Sequence, residues 1–172
     1  IGNSDKLKDD HKVYYDAIQL SKSGNLIASL KKLNYLISKY KDKIFFTETK
    51  ADILLSYGYN KEAIQFYKKV LVEQSDNNYV KYNIFKNSTF NKKNINFNKK
   101  IFLNNLNLLH FFPNDKILFM TYYNLSKNLG YKDWILFFEI ILFNKVDPKE
   151  NLIKLNKETK DNNLKNIIKL YT

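Results

Sequence analysis

A recurrence at 34 residues constrains this chain more than any other feature. Ala17, Leu20 and Gly24 return as Ala51, Leu54 and Gly58, each 34 positions on, and Leu30 and Leu33 return as Ile64 and Tyr67 in the same register. A fixed period of roughly 20–50 residues marks stacked supersecondary units, each too small to bury its own apolar face. Around the recurring positions the apolar residues fall three and four apart, which is helical spacing, and each Gly sits at a break. Only 4 Gly and 2 Pro occur in 172 residues, so breakers are too few for a many-turned β protein. The expected fold is all-α, an α-α superhelix of helical hairpins. The expected helices, about ten in number, lie near 5–22, 26–40, 44–57, 60–74, 78–90, 95–111, 115–129, 132–146, 148–159 and 162–171. No composition shift marks a boundary, so 1–172 reads as a single helical-repeat domain.

The period of 34 is that of the tetratricopeptide repeat, and the chain resembles that pattern residue by residue. In the unit 44–77 the small residue of the first helix is Ala51, followed by Leu54, the turn Gly58, the small Ala63 and the aromatic Tyr67. In the unit 10–43 Ser29 stands where Ala63 stands in the next unit. Small side chains there let the two helices of a hairpin approach closely. Ser75 replaces the usual Pro. Degenerate units are expected over 78–115 and 116–149, with terminal helices over 148–171. Gly58 and Gly130 are 72 apart, which implies a four-residue insertion, placed in the Asn-rich stretch Asn87–Phe97. Tyr123 and Ile135 stand where small residues are usual, so the later hairpins are expected to splay. Asn114 and Asp147 are the expected N-caps of the helices that follow them, with Pro148 at the first helical position.

In tetratricopeptide proteins the first helix of each hairpin lines a concave groove, and the resemblance implies which residues do so here. They are Tyr14, Ile18 and Ser21, then Phe45, Glu48, Asp52 and Leu55, then Tyr82 and Lys86, then Met120, Asn124 and Lys127. Such a groove of mixed polarity suits a protein or peptide ligand. The Lys and Asn clamp by which some tetratricopeptide domains hold a chaperone's terminal carboxylate is not matched. Its places hold Tyr14, Ile18, Glu48 and Asp52, and the two acids would repel a carboxylate.

Chemistry for catalysis is missing. Cys is absent, so thiolate metal sites and disulfides are excluded. The two His residues, His11 and His110, lie 99 apart with no HExxH. His110 sits in an apolar stretch as a core or edge residue, and His11 beside solvent. Glu48 and Asp52, four apart, share a helix face but have no nucleophile or base near them in sequence. No catalytic, cofactor-binding or metal-binding residue is assigned. The net charge of +12 comes from 29 basic residues against 17 acidic ones, all 29 being Lys. The missing Arg and the scatter of the Lys argue against a nucleic-acid surface and for solvated helix faces. The longest apolar run, Trp134–Phe143, is broken by Glu139 and falls short of the roughly 18 residues a membrane span requires.

A narrower resemblance covers Lys43–Asn77. It looks like the repeat region that follows the catalytic domain in bacterial BepA-type periplasmic zinc metallopeptidases. Phe45, Phe46, Glu48, Lys50, Leu54, Gly58, Glu62, Ala63, Ile64, Tyr67 and Leu71 follow that pattern in order. The flanking stretches 14–40 and 110–134 resemble its neighbouring units. The resemblance implies a non-catalytic docking domain of an exported protease of envelope quality control, with zinc bound only in an upstream catalytic domain. The chain opens at Ile1 without a Met or an export signal and reads as a segment of a longer protein. The alternatives are a generic adaptor of the same fold and, on the charge, a basic nucleic-acid-binding module.

Overall fold

The computed structural model describes residues 2–90, 93–144 and 147–172, with only the backbone described for 2–8. The described residues form eleven helices and no strand, so the chain is all-α. They divide into two compact units, the boundary falling between Val80 and Lys81. Residues 91 and 92 of the expected insertion, and 145 and 146 at the end of the expected helix 132–146, lie outside the described residues.

The first unit holds α1 (Gly2–Lys22), α2 (Leu26–Lys39), α3 (Ile44–Ser56) and α4 (Asn60–Glu73), and the start of α5 (Asn78–Lys86). Helices α1 and α2 pack as one hairpin, α3 and α4 as a second, and α2 lies against α3. The small residues of the recurrence, Ala17, Ser29, Ala51 and Ala63, are all fully buried, as is Tyr67. Each hairpin turns on a left-handed glycine. Gly24 has φ +89° and Gly58 has φ +82°. Past each, an amide reaches back five residues, Asn25 to the Leu20 carbonyl at 2.8 Å and Tyr59 to the Leu54 carbonyl at 2.9 Å. That is the Schellman closure, which satisfies helix carbonyls and needs the left-handed residue. The Asn25 side chain then caps α2 by accepting the Ala28 amide at 3.2 Å. The Tyr57 hydroxyl donates to the Ser21 carbonyl at 2.6 Å, which ties the end of α3 to the end of α1.

The second unit holds the rest of α5, then α6 (Ile95–Asn104), α7 (Leu108–Phe111), α8 (Lys116–Leu129), α9 (Lys132–Phe143), α10 (Lys149–Glu158) and α11 (Asn162–Ile168). Its core is aromatic. Phe102 meets Tyr122 and Trp134 edge-on at 5.3 and 5.0 Å, and Phe137 and Phe138 sit 5.0 Å apart. Asp161 caps α11 and accepts the Trp134 indole N–H at 2.7 Å.

Four local expectations are corrected. The helix expected over 95–111 is two, α6 and α7, broken at 105–107. Asn105 turns its Nδ2 back on the Ile101 carbonyl at 2.8 Å, and the break lets the consecutive Leu108 and Leu109 both face the core. Helix α5 stops at Lys86, because Asn87 and Ser88 donate side-chain hydrogen bonds to the carbonyls of Asn83 and Ile84. The cap of α8 is Asp115, not Asn114: its Oδ1 accepts the Leu118 amide at 2.8 Å. Helix α10 starts at Lys149 with Pro148 at its cap (φ −70°), while Asp147 Oδ1 takes the Lys149 amide at 3.0 Å.

The Ser29 hydroxyl is buried and has no hydrogen-bond partner among the described residues. Its equivalent 34 residues on is Ala63. Ser29→Ala is therefore expected to raise stability by about 1 kcal/mol in urea unfolding, since it removes an uncompensated polar group without changing the helix approach. Gly58→Ala is expected to lower stability by about 1 kcal/mol in the same measurement. A Cβ there meets nothing within 4 Å, so the left-handed backbone alone sets the cost.

Candidate functional site

Helix α3 is enclosed over most of its circumference. Thr47, Thr49, Ala51, Ile53 and Leu54 are buried. Phe45, Glu48, Asp52 and Leu55 fall within an arc of about 80° at 100° per residue, and none of the four is buried. These are the four α3 residues that the sequence assigns to the groove, and the structure gathers them on one open face. Tyr14 and Ile18 of α1 are half-buried, and both pack on the core of Ala17, Leu33 and Ile53.

At the head of α3 the open face runs into a cleft of about 380 Å³, lined by Asp10, His11, Tyr14, Tyr40, Lys43, Phe45 and Phe46. Tyr14 lies 5.3 Å from Phe45 and 5.8 Å from Phe46, ring centre to ring centre, and Tyr40 lies 6.0 Å from Phe46. Phe45 remains 55% exposed, a large apolar surface left to solvent. The Tyr14 hydroxyl is 3.4 Å from Thr49 Oγ1, which pins the ring against α3. Behind the rings the buried Asp10 carboxylate accepts from Lys39 Nζ at 2.6 Å and from the Tyr40 hydroxyl. The Lys39 hydrogen bond, then that of Tyr40, holds the Asp10 carboxyl below its usual range. Asp10 in turn pushes Lys39 up, and it pushes up the Tyr40 phenol as well. His11 is exposed at the rim.

One turn further along, the open face becomes acidic. Glu48 accepts from Asn77 Nδ2 at 3.0 Å, and Asn77 Oδ1 accepts the Val80 amide at 3.1 Å at the start of α5. Asp52 Oδ1 accepts from the buried Tyr67 hydroxyl at 2.5 Å and from the Tyr79 hydroxyl at 3.1 Å. Burial, and after it Asp52, pushes the Tyr67 phenol far above its usual range. Burial also raises the Glu48 carboxyl, with Asp52 adding to the shift and the Asn77 hydrogen bond opposing it. Among the described residues the ion pairs are Lys32–Asp16, Lys39–Asp10 and Lys43–Asp42, so neither Glu48 nor Asp52 has a lysine within 4.0 Å.

The assigned residues of the second unit are placed differently. Tyr82 is buried, donates to Asp115 Oδ2 at 2.7 Å and packs on Phe112 with ring centres 4.8 Å apart. Lys86 lies over the Tyr82 ring at 4.6 Å. Asn124 and Lys127 are exposed on α8, with Lys127 over the Tyr123 ring at 4.8 Å. Met120 is exposed on the same helix. His110, expected at a core or core edge, is exposed. Reasoning from the repeat missed Phe46, Tyr40, Asp10, Asn77 and Tyr79. The doublet Phe45–Phe46 was the signal for the cleft, since one ring of such a pair must turn away from the groove face.

Among the described residues no group of three His, Asp or Glu is arranged to hold a metal ion. No helix among them is long and apolar enough to cross a membrane. Fold and site together define an all-α protein of helical hairpins with an aromatic cleft and an acidic strip on one helix face. Comparison with protein families, with characterised proteins and with solved structures returned no match.

Asp52→Ala is expected to cost about 2 kcal/mol of stability, because it strands the buried Tyr67 hydroxyl. Asp52→Asn, which keeps an acceptor, is expected to cost less, and urea unfolding of the pair separates them. The raised Glu48 carboxyl gives a definite sign with pH. The native state holds that proton more tightly than the unfolded chain, so the stabilisation present below the ordinary value of 4.5 is lost as pH rises through the raised value. Glu48→Gln is expected to flatten this fall and to leave the variant the more stable of the two at neutral pH.

Proposed function

We propose that the chain is a non-catalytic docking module that binds a protein segment along the open face of α3 and the cleft at its head. The observation that carries this reading is the cleft itself. Tyr14, Phe45 and Phe46 present apolar surface at a concave site, and Phe45 keeps more than half of its area in water. A bulky apolar side chain seated there displaces water from three rings, and aromatic-lined pockets of this kind supply most of the energy of peptide recognition. The arrangement offers no nucleophile, base and orienting group in contact with one another, so it supports holding a ligand over transforming one.

The wider context rests on sequence likeness. The resemblance of Lys43–Asn77 to the repeat region of BepA-type periplasmic metallopeptidases supports a docking domain of an exported protease. The upstream reading frame tests it: an export signal and an HExxH motif are expected, and a frame with neither removes that context while leaving docking intact.

Docking itself is tested by selecting displayed random peptides against the full chain. Peptides enriched on the parent are expected to bind Phe45→Ala and Tyr14→Ala at least about tenfold more weakly, which is about 1.4 kcal/mol. Selected peptides that bind both variants as well as the parent would sink the proposal. The exposure of Phe45 makes its substitution tolerable to the fold.

A further inference from the structure

The occupant of the cleft has a charge that the structure indicates. The following rests on the docking reading and adds the chemistry of the partner. Beyond Phe45 the open face of α3 carries Glu48 and Asp52, about 4.5 and 10.5 Å along the axis at 1.5 Å per residue. In a chain with 29 lysines and 17 acids, these two carboxylates have no lysine within 4.0 Å among the described residues. Their partners are the neutral donors Asn77, Tyr67 and Tyr79. The lysine of α3 itself, Lys50, turns to another flank, where its Nζ is 2.7 Å from Asn34 Oδ1 and 4.1 Å from the centre of the Phe66 ring. Among the described residues the negative charge on this strip therefore has no ion-pair partner.

The cleft end is different. Asp10 is neutralised by Lys39 at 2.6 Å, and Lys43 and His11 stand at the rim. A cationic group gains nothing there and meets its complement only on the Glu48 side. We infer that the partner is a peptide segment with a bulky apolar residue that enters the cleft and, on the side toward the C-terminal end of α3, one or more basic residues that meet Glu48 and Asp52. An extended peptide advances about 3.3 Å per residue, so the first basic residue lies one to three positions from the apolar one. Charge-assisted hydrogen bonds to a partly buried carboxylate are about twice as strong as neutral ones, which makes this strip a determinant of specificity. The net charge of +12 works against such a partner at long range but is screened beyond about 8 Å at physiological salt. Nonspecific attraction therefore favours an acidic peptide, and a preference for a basic one has to come from contact.

The test uses the full chain and three labelled synthetic heptapeptides, read by fluorescence anisotropy at physiological salt. One has a tryptophan followed by two arginines at alternate positions, one has glutamates in place of the arginines, and one has serine in place of the tryptophan. The tryptophan–arginine peptide is expected to bind at least about tenfold more tightly than either of the others. Glu48→Gln combined with Asp52→Asn, which keeps an acceptor for Tyr67, is expected to abolish the preference for arginine over glutamate. Equal binding of the arginine and glutamate peptides, with both weakened by Phe45→Ala, overturns the basic partner and leaves docking standing. Binding of the serine peptide as tight as that of the tryptophan one overturns the anchor in the cleft. Binding of none of the three overturns the inference and the docking reading together.

Discussion

Four side chains too small to hold helices apart govern the first unit. Ala17, Ser29, Ala51 and Ala63 are fully buried, two in each hairpin. Any larger residue at these positions would push the helices past the roughly 8–10 Å at which they interlock. With the helices this close, the left-handed turns at Gly24 and Gly58 follow, because the chain has only a few residues in which to reverse. Both α2 and α4 pack against α3. Phe45, Glu48, Asp52 and Leu55 stay unburied along one arc of α3, and the site is that arc with the cleft at its head.

The two units solve the packing problem in different ways. The first uses small residues and a polar layer: the Tyr67 and Tyr79 hydroxyls converge on Asp52, and Asn77 joins Glu48 to the start of α5. The second fills its interior with rings, and Phe102, Tyr122, Trp134 and Phe138 touch one another directly or through one neighbour. Aromatic pairs add about 0.5–1.5 kcal/mol each beyond the area they bury. A ring-filled core needs no small residue at the crossing, so Tyr123 and Ile135 are accommodated in a unit where α8 and α9 still pack as a hairpin.

Polar side chains with two tasks recur at the joints. Asp115 caps α8 and accepts from Tyr82; Asp161 caps α11 and accepts from Trp134. Each satisfies an orphan amide at a helix start and a tertiary donor with one carboxylate. Helix starts are thereby locked to the cores beside them. The Asp10 carboxylate caps no helix but also serves two donors, and ties Lys39 and Tyr40 at the α2 end back to α1.

The sequence alone determined the all-α class, most helix limits, the glycine turns and the four α3 residues of the open face. All of these follow from local rules: apolar spacing, a positive φ that glycine accepts without strain, and helical periodicity of a known phase. It did not determine the break at 105–107 or the cap at Asp115. There several polar residues compete for the same backbone groups, and burial of Leu108 and Leu109 chooses between them. Nor did it place Tyr82, whose helical position reads as groove but whose ring and hydroxyl are taken up by Phe112 and Asp115, 30 and 33 residues away. The sequence marks Tyr14, Phe45 and the doublet Phe45–Phe46, but tertiary structure closes the cleft around them. Asp10, Tyr14, Tyr40 and Phe46 come from three helices, and their packing decides that Asp10 is neutralised, while Glu48 and Asp52 have no lysine within 4.0 Å among the described residues.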